Sequence, residues 1–120
     1  MASLMEELLD VLSEEDKAFK QLLDITSRKT QIIVQNNINA LQQITDEEQY
    51  VMNHISGLDK KRETVTKDIA DVINKDVETL KLSVLAELLK NQPKERDRLN
   101  TLIDGLSTTV GQIRRINEQN

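Results

Sequence analysis

His54 is the side chain best suited to proton transfer or metal ligation near neutral pH, and it is the only histidine in the chain. There is no cysteine, so a thiolate zinc site, a disulfide and a cysteine nucleophile are excluded. No Glu-x-x-His occurs, which removes the di-iron signature of helical bundles. Carboxylates gather at Glu14-Glu15-Asp16 and Asp46-Glu47-Glu48. Such groups suit helix starts and outer faces, where they are solvated and dipole-compatible. Gly57, Gly105 and Gly111 are isolated and build no phosphate loop. The basic run Lys60-Lys61-Arg62 is short and balanced by Asp59 and Glu63. His54, between Val51 and Ile55, reads as a solvated helix-face residue. The expectation is a protein without catalytic residues, metal site or cofactor.

Composition narrows the partners. The chain has 120 residues, 31% charged and 2% aromatic, with a net charge of −5. An acidic balance argues against a phosphate-backbone partner. Phe19 and Tyr50, the only aromatics, make no base-stacking platform. No apolar run of about 18 residues exists to insert in a membrane. Glu6, Glu7 and Asp10 interrupt the apolar N-terminus, unlike a secretory signal. Absence of cysteine suits a reducing cytoplasm.

The information lies in the spacing of aliphatic residues. Leu4, Leu8, Val11, Ala18, Leu22, Ile25 and Ile32 recur with 4-3 spacing, broken at Glu15 and Lys29. That is a heptad seam for helix-on-helix packing. A flanking stripe at Met5, Leu12, Phe19 and Ile33 widens the apolar face and calls for a third helix. Ser3-x-x-Glu6 matches a capping box. Asn36, Asn37 and Asn39 form the best turn signal. A second seam follows at Leu41, Ile44, Val51, Ile55, Leu58, Val65, Ile69 and Val72, broken at Glu48 and Arg62. Thr45-x-x-Glu48 is a competing helix start, but the seam runs unbroken through Ile44.

In an antiparallel hairpin, facing residues have a nearly constant sum of positions. Pairing Leu22 with Ile55 also pairs Leu8 with Ile69 and Ile32 with Ile44. In that register the polar breaks meet as opposite charges, Glu15 with Arg62 and Lys29 with Glu48. Exposed pairs contribute only about 0–1 kcal/mol. Their value is in alignment, because a slipped register would bury charge against Leu or Ile.

Beyond Val72 the pattern weakens, and Asn74-Lys75-Asp76 reads as a helix end or kink. Leu80, Leu82, Val84, Leu85, Leu88 and Leu89 form a dense apolar stretch, with Ser83 the expected N-cap of a short helix. Pro93 suits the first turn of a last helix, whose seam is Leu99, Ile103, Leu106, Val110 and Ile113, flanked by Leu102 and Ile116. Gly105 and Gly111 inside it are either tolerated surface positions, or they leave the helix marginal and adaptable or let another helix approach closely. The expected fold is all-α, an elongated antiparallel helical bundle or coiled-coil hairpin with three long helices and one short one. The single domain 1–120 divides into helices at about 3–35, 39–75, 83–90 and 93–118.

The order of these pieces resembles the FlgN family of flagellar export chaperones. A leading Leu/Glu-rich helix is followed by N-x-x-A-L-x-x-I-T-x-E-E-x at 37–49. Leu58-Asp59-Lys60-Lys61-Arg62-Glu63 comes next, then T-L-x-L-S-x-L-x-x-L-L at 79–89, and Asn-rich sequence closes at Ile116–Asn120. The resemblance covers essentially the whole chain. It implies a cytoplasmic chaperone of flagellar type III export that binds hook-associated (hook–filament junction) proteins and delivers them to the export apparatus. Cargo of this family is thought to offer a C-terminal amphipathic segment to the C-terminal part of the chaperone. Carried onto this chain, that role falls on Leu106, Val110, Ile113 and Ile116. Family members usually continue past the Asn-rich motif with a further apolar segment, whereas this sequence ends at Asn120. A homodimer is a further expectation. The alternative is a non-catalytic coiled-coil domain acting in oligomerisation or tethering.

Overall fold

The computed structural model describes residues 2–77 and 81–119. Four helices follow in order: α1 (Ala2–Gln35), α2 (Ile38–Val72), α3 (Leu82–Leu88) and α4 (Pro93–Gln119). No strand occurs among the described residues. The molecule is all-α and elongated, 54 × 22 × 21 Å, about the length of one 35-residue helix at 1.5 Å per residue.

The hairpin turn falls at the Asn cluster and is built from its side-chain chemistry. Asn36 takes φ 55°, a left-handed conformation that Asn tolerates better than most residues. Asn36 N–H donates to Ile33 O at 3.1 Å and Asn37 N–H to Ile32 O at 3.4 Å, closing α1 in a Schellman motif. Asn37 then caps α2: its side-chain oxygen accepts from Ala40 N–H at 3.0 Å. A single Asn pair therefore satisfies free carbonyls of one helix and a free N–H of the next. Thr45 lies well inside α2, its hydroxyl donating to Leu41 O at 2.7 Å, so the competing start is not used.

α2 closes the same way. Asn74 has φ 55°, with Asn74 N–H donating to Asp71 O at 3.3 Å and Lys75 N–H to Ala70 O at 2.9 Å. The helix therefore stops at Val72 rather than near 75. Val72 itself leaves the seam and is 58% exposed, while Ile73 packs against the core. A step of four from Ile69 keeps the helix face better than a step of three here.

Two caps differ from expectation. α1 already includes Ala2, so Ser3 sits inside its first turn rather than at the cap. α3 starts at Leu82 with Lys81, extended at φ −85° ψ 162°, at the N-cap and no side-chain cap bond; Ser83 is inside the helix. Thr79 and Leu80 of the apolar stretch, and Asn120 of the closing motif, lie outside the described residues.

Two apolar clusters hold the molecule. The larger joins Met5, Leu8, Leu9 and Leu12 of α1 with Val65, Ile69 and Ala70 of α2, Leu85, Leu89, and Leu99 of α4. The smaller, nearer the turn, joins Ile25, Ile44 and Val51, with Leu22, Ile32, Leu41 and Ile55 around it. The α1–α2 register is the expected one, and both interruptions pair. Lys29 Nζ lies 3.1 Å from Glu48 Oε1, and Arg62 Nε 3.3 Å from Glu15 Oε1. Arg28 adds a bridge to Glu47 at 3.0 Å. α4 packs along α1, while no Cα atoms of α2 and α4 approach within 8 Å among the described residues. α1 is thus the shared spine.

Candidate partner-binding groove

Because α2 and α4 sit on α1 without closing on each other, a groove is left between them. Leu12, Glu15 and Phe19 of α1 supply its floor, Arg62 of α2 one wall, and Ile103, Leu106, Ser107 and Val110 of α4 the other. Its volume is about 370 Å³. The heptad periods produce this lining: positions 12 and 19, and positions 103, 106 and 110, return to one helix flank at three- and four-residue steps.

The polar end of the groove is one ion pair. The Glu15 side chain is only 7% exposed and faces Arg62. Arg62 also holds Asp59 of its own helix through Nη2. The Glu15 contact has ion-pair distance without hydrogen-bond alignment, leaving Oε1 with no hydrogen-bond partner. Burial pushes the Glu15 carboxyl above the usual range; Arg62 opposes that shift and Asp59 adds to it. Next to it, Asp16 accepts from Lys20 Nζ at 2.9 Å through Oδ2. Its Oδ1 faces α4 at Gly105, where an added Cβ would come to 3.3 Å. Gly105 is therefore a place of close helix approach. At Gly111 an added Cβ meets nothing within 4 Å, so that glycine has no such role.

The four partner-binding candidates do not share one surface. Leu106 and Val110 line the groove. Ile116 lies on the opposite flank of α4, in a separate depression with Leu23, Ser27, Gln112, Arg115 and Gln119. Ile113 is turned inward and only 8% exposed. The part played by Glu15 and Arg62 as groove lining was not visible in the seams, which identified them only as a pair. Ser107, also in the lining, carries no sequence signal. His54 is exposed on α2, and no cluster of three or more His, Cys, Asp or Glu able to hold a metal occurs among the described residues. No helix among them is long and apolar enough to cross a membrane.

A helical scaffold with an apolar trough between two helices is the kind of surface that receives an amphipathic helix. The family model described as FlgN protein matches residues 1–120, and the chain belongs to the FlgN family. FlgN is a chaperone family, and membership supports a general role as a flagellar export chaperone. Comparison with curated proteins and with solved structures found no match.

Proposed function

We propose that this chain binds hook-associated proteins in the cytoplasm, keeps them unassembled, and presents them to the flagellar export apparatus. The observation that supports the reading is the groove between α2 and α4 in a FlgN-family chain. A cargo helix would set apolar side chains against Leu106 and Val110 and over Phe19. Ile116 would extend the contact across α4, and Ile113 would join it only where α4 lifts from α1. Glu15 and Arg62 are charges that a purely apolar cargo face would leave desolvated, so the fitting segment is amphipathic.

The test is calorimetric titration of the chain with the C-terminal segment of a hook-associated protein from the same organism. Saturable binding is expected, weakened at least tenfold by Val110→Glu with helicity unchanged. Absence of binding to the intact protein overturns the cargo reading and favours the tethering domain.

A further inference from the structure

The groove between α2 and α4 leaves one requirement of its own unmet. Glu15 lies in its lining with a side chain only 7% exposed, and its buried Oε1 has no aligned hydrogen-bond donor. A buried carboxylate oxygen without a donor is costly, and most such groups in folded proteins find one. The charges around it are uneven as well. Arg62 is the cation that acts on Glu15. That same guanidinium faces three carboxylates, Glu15, Asp59 and Glu63, and its Nη2 hydrogen bond goes to Asp59. Asp16 does not compete for it, because Lys20 holds Asp16 at 2.9 Å. Lys60 and Lys61, next to Arg62 in sequence, are exposed and stand outside the lining. The polar end of the groove therefore sets three carboxylates against one cation, and the most buried of the three is the one left without a hydrogen bond.

We propose that the groove selects a partner helix with a Lys or Arg set in its apolar face, whose charged head bonds the Glu15 carboxylate. This rests on the reading of the groove as a cargo site and adds what the cargo must carry. The rest of the lining suits the stem of such a residue. Leu12, Phe19, Leu106 and Val110 share the groove with Glu15, and the methylenes of Lys or Arg pack on apolar surface while the head reaches a charge. A neutral donor could bond Oε1, but it would leave the excess of negative charge in a site that the docked helix closes to water, where electrostatic interactions strengthen. A cation answers both needs. Arg62 does not forbid it, since two cations would then face three carboxylates. A segment apolar along its whole inner face would seal Oε1 away without a donor. The groove thus discriminates among amphipathic helices by one charge, at a position with apolar residues three or four places to either side.

The experiment is calorimetric titration of the full chain with the C-terminal segment of a hook-associated protein from the same organism, and with versions in which each Lys or Arg is changed singly to Met. Against the unaltered chain, one of these changes is expected to weaken binding about tenfold. Against Glu15→Gln the same change should cost less than about twofold, because the amide offers no charge to pair. Asp59→Asn, at a half-exposed position, frees Arg62 for Glu15 and should reduce the tenfold effect without removing it. Circular dichroism checks that both variants keep their helicity. A loss that Glu15→Gln leaves unchanged for every Lys and Arg overturns the inference while the cargo reading stands. So does saturable binding of a segment that has no Lys or Arg. A segment that fails to bind the unaltered chain overturns the cargo reading, and this inference with it.

Discussion

Glu15 concentrates the electrostatics of the molecule in one side chain. Its carboxyl is raised by burial above 4.5, its ordinary value. A carboxyl that is harder to ionise folded than unfolded binds more protons in the native state, so its contribution to stability falls as pH rises through the folded value. That contribution is fully present below the unfolded value. Glu15→Gln is therefore expected to flatten the loss of stability above pH 4.5, read by urea unfolding at a series of pH values. Reversal is a harsher change. Glu15→Arg places two cations at 3.3 Å and should cost on the order of 3 kcal/mol. Adding Arg62→Glu should restore part of it, and no recovery in the double variant would sink the pairing. The turn supplies a backbone counterpart. With φ 55° at Asn36, Asn36→Ala should destabilise by about 1 kcal/mol and Asn36→Gly should not, in thermal melts.

Among the elements, α4 separates two kinds of glycine. Gly111→Ala meets open space and should stabilise by about 1 kcal/mol in a helix interior. Gly105→Ala must displace the Asp16 carboxylate, and its gain should be visibly smaller in the same denaturation assay. The α1–α2 hairpin was legible in the sequence because the register that pairs the two apolar seams also sets the polar interruptions at 15, 29, 48 and 62 against opposite charges, as the structure has them. The Asn turn was legible because its residues favour left-handed backbone and local capping. Ser3 and Ser83 misled: a capping side chain proposes a start, but neighbouring residues extended α1 to Ala2 and α3 to Leu82. The groove was only half legible. The α4 seam identifies Leu106, Val110, Ile113 and Ile116 as apolar, yet which flank meets α1 is set by how the helices cross. That distributes them between groove, interior and opposite flank.

At the scale of the whole molecule, the two neighbours of α1 are reached at very different distances along the chain. α2 follows α1 across a two-residue turn, and the Lys29–Glu48 bridge spans 19 positions. α4 returns from far away: Arg98 meets Asp10 at a separation of 88. Closing the longer loop costs more chain entropy before its contacts repay it. The hairpin should therefore be the part that is organised when the folding barrier is crossed, with α4 laid down afterwards. Truncations at Ile25 and Ile44 are expected to slow refolding, and truncations at Leu99 and Ile113 mainly to speed unfolding, a contrast that φ-value measurements would read directly. A chain emerging from the ribosome would then display α1 with its α4 side bare until α4 itself has been made, an interval in which that face is open to whatever is close by.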